Sequence, residues 1–495
     1  MHYLSIGCVF KNEGHALHEF IEHHLFHGVD HIFMINDFST DNYLDIITPY
    51  IDNGTVTLFN NDIITKDTNR QEKIYTKYFM PLITITEWLA LIDLDEFLYS
   101  PLDINCKNIV RKYENECEQI TVEWKTFGSN QHDYQPFSIV SGFNKCCNYH
   151  ESKDHYSYKS IIKMKNLIKF GIHSSVVNTG RTINLSYTTG KNELYINHYQ
   201  LQSLDFFMNI KGKRGDCDNW YEHVGLIRDH DHFKKTDSNE LEDNILIEQN
   251  RDIIRKVKCK KISMLENNDV TVVITSCNRP FLLEPTFDSF MKYNTYPIKE
   301  FIIIDDSGKM GVNDFIQKKY PELKITLLYN KTNIGQVKSI DIAYEYITTK
   351  YVFHCEEDWE FLRPGFIEAS FEILKDDPNI FTVWLRAHND GHPVDFSSKI
   401  KNYYHMKKDF SYMHQSILHT WCGVTFNPGL RRTIDILKYH PYTHYIQPDV
   451  LLNEVGEYVI NAKYRDDGFY GAITNVKEGF CRHIGYNFHV PRKYD

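Results

Sequence analysis

No stretch of 18 consecutive apolar residues occurs in this chain, so nothing in it reads as a membrane-spanning helix. The opening residues, Met1-His-Tyr-Leu-Ser-Ile6, lack the basic-then-apolar order of a secretory signal and run straight into a strand pattern. Positive charge is not in surplus either. Lys and Arg number 55 against 66 Asp and Glu, giving a formal net charge of −11, which argues against a nucleic-acid backbone as the main partner. The eleven cysteines include no C-x-x-C pair and only one tight grouping, Cys146-Cys147. Neither a zinc ribbon nor a disulfide framework is expected from them. These absences predict a reduced, cytoplasmic, globular protein without signal peptide or transmembrane segment.

What is present is a large apolar inventory, 42% of 495 residues, which is too much chain for one ordinary core and suits two domains of roughly 250 residues. The first half alternates strand and helix patterns. Leu4 to Phe10 is an apolar strand, Leu17, Phe20, Ile21 and Leu25 recur at helical spacing until Gly28, and Ile32 to Ile35 is a second strand ending at Asp37. The second half repeats the order with strands at Val270–Thr275, Phe301–Asp306 and Ile325–Asn330. The intervals agree, Asp37 to Asn60 being 23 residues and Asp306 to Asn330 being 24. This predicts an α/β protein of two tandem Rossmann-like domains with mostly parallel sheets, over 1–240 and 269–495. The charge-dense stretch 241–268 between them is expected to be a helical linker with a solvated face.

Each half also carries an acidic group at the end of an apolar strand, Trp88-Leu-Ala-Leu-Ile-Asp-Leu-Asp-Glu-Phe97 and Tyr351-Val-Phe-His-Cys-Glu-Glu-Asp-Trp359. Carboxylates crowded at the mouth of a strand repel one another, so such a pattern points to a bound cation and predicts two metal sites.

Several of these segments, in order, resemble the family 92 (family 2-like) glycosyltransferases: Cys8-Val-Phe-Lys-Asn-Glu13, Asn36-Asp-Phe-Ser-Thr-Asp41, Ile92-Asp-Leu-Asp-Glu-Phe97, Trp124-Lys-Thr-Phe-Gly-Ser-Asn130 and Asn197-His-Tyr-Gln200. From Val270 onward the chain resembles family 2 glycosyltransferases through Thr275-Ser-Cys-Asn-Arg-Pro280, Ile304-Asp-Asp-Ser-Gly308 and Arg482-His-Ile-Gly485. The resemblance implies the GT-A fold in both halves and an inverting transfer from a nucleotide-sugar donor, a UDP-sugar foremost, to a glycan or glycoprotein acceptor. It also implies Mn²⁺ or Mg²⁺, which would take up the charge that develops on the departing diphosphate.

Residue by residue, the expected metal ligands are Asp95, assisted by Asp93, with His198 in the first half, and Asp358 with His483 in the second. Glu356 stands where the first acid of a D-x-D motif would be. Strand-end acids Asp37, Asp305 and Asp306 are expected to face base and ribose, and Asn12, Glu13 and Arg279 to lie where the nucleotide enters. Lys211 and Arg214 are assigned to the diphosphate, and Asn333 opens a helix facing the donor. Asp449, in Pro448-Asp-Val-Leu-Leu-Asn453, is the expected catalytic base of the second half. In the first half Glu123, Asp133 and Glu151 remain alternatives. A chain in which one half is catalytic and the other binds sugar or acceptor, or serves assembly, is the competing reading.

Overall fold

The computed structural model describes residues 1–64, 69–148, 157–186, 189–214, 217, 228–390, 396–400, 403–406, 410–414, 417–446 and 452–486. They fall into two compact units, 1–257 and 258–495.

In the first unit the strand His2–Phe10 lies between His31–Asn36 and Thr86–Leu91, all parallel, with Val56–Asn60 outermost. Beyond Thr86–Leu91 the sheet continues through Tyr158–Lys163, Gln119–Thr126, Tyr195–His198 and Glu96–Tyr99, and Tyr158–Lys163 is antiparallel to both of its neighbours. The second unit has the same start. Val270–Ser276 lies between Ile298–Asp305 and Tyr351–Glu356, Ile325–Tyr329 is outermost, and the antiparallel strand Gly429–Arg432 follows. His31–Asn36 and Val270–Ser276 are buried at every position, as strands covered on both faces by crossover helices must be. The expected mostly parallel α/β architecture is present in both halves.

The expected first helix is there as Gly14–Phe26, and Gly28 follows it at φ +90° with the Asn105 side chain where a Cβ would stand, so only glycine fits. The segment 241–268 is not a single solvated helix. Leu241–Glu242 pairs with Lys145–Cys146, and helices Ile245–Gln249 and Arg251–Ser263 meet at Asn250. Leu246 and Ile254 are buried in the first unit's core.

The duplication is visible in individual hydrogen bonds. Asn61 Nδ2 donates to Asp37 at 2.7 Å, and Asn330 Nδ2 donates to Asp306 at 2.8 Å, each across 24 residues. Asn61, not Asn60, is therefore the counterpart of Asn330, which removes the one-residue difference between the sequence intervals. Thr86 Oγ1 donates to Ser5 Oγ and Thr349 Oγ1 to Thr271 Oγ1, both at 2.8 Å. Asn12 and Asn278 share the left-handed conformation, with φ of 53° and 54°. Leu4 pairs with Trp88 and Val270 with Tyr351, and Asp95 and Asp358 each lie seven residues beyond those partners. The two acidic strand ends thus occupy one register.

Three buried histidines anchor the first helix. His23 donates from Nε2 to Leu98 O (2.8 Å) and accepts at Nδ1 from Asn250 Nδ2 (2.8 Å). His24 donates from Nδ1 to Phe20 O and accepts at Nε2 from Leu98 N, and His27 Nε2 donates to Asn250 Oδ1. Each ring is used as a neutral tautomer. Burial depresses all three pKa values, that of His24 to about 3. A histidine whose folded pKa lies below its unfolded value contributes fully above that value, near 6.5, and loses its contribution as pH falls through it toward the folded pKa. The loss approaches about 1.4 kcal/mol per histidine per pH unit below about 6.5. The thermal midpoint of the full chain is therefore expected to fall steadily from pH 7 to pH 5, and to fall less steeply in His24→Gln. Parallel pH profiles for the two proteins would exclude this cluster as a source of acid sensitivity.

Candidate active sites

The first site is built where strands of the first sheet end. Thr86–Leu91 is followed by the turn carrying Asp93 and Asp95, and Glu96 begins the next strand. Tyr195–His198 pairs antiparallel with Glu96–Tyr99, which sets His198 opposite Glu96. His198 Nε2 then lies 3.6 Å from Asp95 Oδ1, and Lys211 Nζ donates to Asp95 Oδ2. Burial raises the carboxyl pKa of Asp95, but the charges of Lys211 and His198 outweigh it and hold the group well below the usual range. Glu96 is fully buried and goes the other way, pushed up chiefly by desolvation against the pull of Lys159.

Asp95, Glu96 and His198 can each turn one ligand atom within 4.8 Å of the others. Glu96 Oε1 and His198 Nδ1 are buried without a hydrogen-bond partner among the described residues. A hard divalent ion accepts this oxygen and imidazole set, so the residues fit the expected metal. Asp93, named as an assisting ligand, is not in that group. Its Oδ2 accepts from Lys159 Nζ at 2.7 Å.

A cavity of about 390 Å³ opens beside these groups. Glu13, Asp37, Asp93, Asp95, His198, Lys211 and Arg214 all line it, so seven residues singled out from sequence meet in one place. Asp37 is clamped by Arg70, whose Nη1 donates to Oδ2 at 2.9 Å, and by Asn61, so both of its oxygens are already engaged. Arg214 pairs with Glu13 at 2.9 Å and also donates to Lys11 O, which fixes the basic segment against the first strand-to-helix turn. Lys211 is the last residue of a π-helical turn, Phe207–Lys211, a geometry enriched at functional sites. Asn12 is used structurally, its Oδ1 accepting from Thr40 N at 2.7 Å and its N–H donating to Ser39 Oγ. Of the three alternatives for the base, Glu123 is buried on Asn184 outside this cavity, Asp133 is exposed, and Glu151 lies outside the described residues.

The second site repeats the acid–histidine pair with different surroundings. Trp359–Phe361 pairs antiparallel with Cys481–His483, bringing His483 Nε2 to 3.3 Å from Asp358 Oδ2. Arg279 Nη1 reaches the same oxygen at 3.1 Å, and its Nε donates to Glu357 at 2.7 Å. Burial raises Asp358, yet the His483 hydrogen bond and the Arg279 charge leave it below its ordinary value. Asp358 Oδ1 is buried without a hydrogen-bond partner among the described residues, which again suits a cation. Glu356 accepts from Gln336 Nε2 (2.7 Å) and Trp359 Nε1 (3.3 Å). Desolvation first, and then the neighbouring Asp358, Glu457 and Glu357 carboxylates, push its pKa up to about 8.

Asp305 and Asp306 hold loops. Asp305 accepts from Asn278 N and Ser276 Oγ, while Asp306 accepts from Ile334 N and Gly335 N, each at 2.8 Å, and so pins the loop that enters the helix Gln336–Glu345. Asn333 is exposed and its Nδ2 is 3.6 Å from Cys277 Sγ. Asp449 lies outside the described residues.

Sequence reasoning missed some of the groups that hold the acids in place. Lys159 and Arg70 carried no motif, although a lysine within Tyr158-Lys-Ser-Ile-Ile-Lys163 is a signal that a buried charge awaits it, and the pairing of Arg279 with Glu357 was not foreseen from the motifs that hold them. Gly485 was quoted in its motif without a role. A Cβ there would stand 2.4 Å from Asp358 Oδ2.

Two family models match the chain in tandem, Glycosyltransferase family 92 over residues 5–248 and Glycosyl transferase family 2 over residues 271–436. The first part of the chain is thus similar to family 92 glycosyltransferases and the second part to family 2 glycosyltransferases. A glycosyltransferase family 92 protein of Ricinus communis is 25% identical over 215 residues, 42% of this chain and 37% of that protein, so the match spans little more than a third of the relative's length. Among solved structures, TarS 1–349 of S. aureus in complex with UDP is 15% identical, covering 43% of this chain and 59% of that one, with a TM-score of 0.32. A mannosyltransferase from Pyrobaculum calidifontis in complex with GDP-Man and Mn²⁺ is 18% identical over 28% of this chain and 44% of that one, with a TM-score of 0.22. GalNAc-T7 with UDP, GalNAc and Mn²⁺ is 13% identical over 43% of each chain, with a TM-score of 0.31. Among the described residues no helix is long and apolar enough to cross a membrane.

Because the Asp358 carboxylate fills the space a side chain would take at Gly485, Gly485→Ala is expected to push Asp358 off His483. Titration of the full chain with Mn²⁺ and a nucleoside diphosphate should show one class of sites weakened about tenfold or more and the other unchanged. Two unchanged classes of sites would show that Asp358 does not bind there.

Proposed function

We propose that the chain is a bifunctional, metal-dependent, inverting glycosyltransferase that transfers sugars from nucleotide-diphosphate sugars, UDP-sugars foremost, to a glycan or glycoprotein acceptor. The observation that carries this reading is the repeated pairing of a strand-end aspartate with a late histidine, Asp95 with His198 and Asp358 with His483, in one register of two duplicated sheets.

Bound Mn²⁺ or Mg²⁺ supplies Lewis-acid stabilisation to the diphosphate leaving group. In the first half Asp95 and His198 hold it, with Glu96 beside them, and in the second Asp358 and His483. Lys211 and Arg214 bring positive charge to the same cavity wall and offset what the metal leaves on the phosphates. Asp37, with both oxygens held by Arg70 and Asn61, presents a fixed edge to the nucleotide end of the cavity. Asp449 takes the acceptor hydroxyl proton in the second half. With one protein carrying two sites, the product of one transfer is presented to the other at high local concentration.

One observation favours the reading in which a single half is catalytic. In the first half Asp95, Glu96 and His198 form a three-residue group that could hold a metal, whereas the second half has Trp359 in the place of Glu96. The two readings separate in one experiment. The full chain is assayed with Mn²⁺ against a panel of nucleotide sugars, alongside Asp95→Asn and Asp358→Asn. Each variant is expected to lose a different transfer by on the order of 100-fold or more, the scale of removing one group that stabilises developing charge, and chelation should abolish both transfers until Mn²⁺ is restored. Loss of the same transfer in both variants would exclude separate sites, and an unaltered Asp358→Asn would leave catalysis to the first half alone.

A further inference from the structure

Lys159 is a lysine placed where sheets rarely carry one. It sits on the antiparallel strand Tyr158–Lys163, opposite Val122 in the register with Gln119–Thr126, and its side chain is 1% exposed. Its Nζ lies 2.7 Å from Asp93 Oδ2, 3.8 Å from Glu96 Oε1 and 5.9 Å from the centre of the Trp124 ring. Trp124 also packs against His198, with ring centres 4.3 Å apart, so one indole supports both the lysine and the late histidine. Asp93 lines the cavity and keeps 37% of its side chain exposed, while Glu96 is completely buried.

Among the described residues of the second unit no lysine takes this place. There Tyr351–Glu356 pairs with Gly429–Arg432, and the register that sets Leu91 opposite Ser160 sets His354 opposite Gly429. The residue before each is Lys159 in one half and Pro428 in the other. The first acid of that half, Glu356, takes its hydrogen bonds from the uncharged donors of Gln336 and Trp359.

We propose that Lys159 is a positioning residue of the first active site: it ties one oxygen of Asp93 to the sheet, keeps that acid apart from the metal-holding set Asp95, Glu96 and His198, and aims the remaining oxygen at the ribose hydroxyls of the donor. The inference rests on the first cavity being a nucleotide-sugar site. A carboxylate held by a buried ammonium cannot swing toward a second cation without leaving that ammonium with only the longer Glu96 contact, at 3.8 Å. The same tether removes the rotamer freedom that a hydroxyl acceptor would otherwise lose on binding. Lys159 itself reaches the cavity wall, and its assigned role is exerted through Asp93.

The test compares UDP with 2′,3′-dideoxy-UDP, in the presence of Mn²⁺, on the full chain carrying Asp358→Asn so that the first site is read alone. With Lys159 in place, UDP is expected to bind about tenfold or more tightly than the dideoxy compound. Lys159→Met should bring that ratio close to one, Lys159→Arg should restore most of it, and Asp93→Asn/Lys159→Met should give the same ratio as Asp93→Asn alone. The double variant removes the unpaired Asp93 charge, so it reports even where the single methionine variant does not fold. Mn²⁺ affinity, followed by electron paramagnetic resonance without nucleotide, should not decrease in Lys159→Met. An unchanged ratio with both nucleotides weakened equally would make Lys159 a direct phosphate contact and overturn the proposal. Multiplicative losses from Asp93→Asn and Lys159→Met would overturn it as well. Failure of the Lys159-containing protein to bind UDP at all would instead reject the nucleotide-sugar reading of the cavity.

Discussion

Parallel strands direct their carboxyl ends to one edge of a sheet, and in each half of this chain three acids within four residues arrive there together: Asp93, Asp95 and Glu96, then Glu356, Glu357 and Asp358. At an effective dielectric of about 20, two unit charges 4 Å apart interact by about 4 kcal/mol. A few such repulsions left unanswered would rival the whole net stability of a domain, about 5–15 kcal/mol. The surrounding structure can be read as the answer. Lys211 and His198 face Asp95, Lys159 faces Asp93 and Glu96, and Arg279 and His483 face Asp358. Each of these partners comes from a segment distant in sequence, so closing the site and closing the fold are one event.

The turns that carry the acids are held by a second layer of polar contacts, and this layer is where the duplication is best preserved. Asp37 and Asp306 accept from the same asparagine, 24 residues on, and each then holds the start of the following helix: Asp37 through the guanidinium of Arg70, Asp306 through the N–H groups of Ile334 and Gly335. One carboxylate position thus performs the same mechanical task with a side-chain donor in one half and backbone donors in the other. Both solutions give the buried carboxylate oxygens hydrogen-bond partners, as burial requires.

Legibility in the sequence followed the range of the interactions involved. The strands, the helix Gly14–Phe26 and the acidic strand ends were readable because apolar periodicity and the acids that close it are local in the chain. His198 and His483 were readable only through family-like motifs, since nothing local distinguishes them among 25 histidines. Lys159, Arg70 and Gly485 were not readable, because their meaning depends on register across strands: Lys159 matters through the antiparallel insertion of Tyr158–Lys163, and Gly485 through the closeness of the Asp358 carboxylate. The segment 241–268 shows the same limit from the other side. Its charge density suggested a linker helix with a solvated face, yet Leu246 and Ile254 fill the first core and Asn250 bridges two buried histidines.

The differences between the two sites are coordinated. At equivalent positions Glu13 becomes Arg279 and Leu94 becomes Glu357, and these two newcomers bind each other at 2.7 Å. Glu357 alone would place an uncompensated charge beside Asp358, whereas together the two changes pair with each other and leave the local sum one unit more positive than in the first half. A buried carboxylate costs free energy unless it is paired or binds a cation. Here Glu13 and Glu96 give way to Arg279 and Trp359, Glu357 arrives with its own counter-ion, and Asp358 and His483 keep their pairing. The acid–histidine pair is thus what the two halves share, and the charged groups packed around it are where they differ.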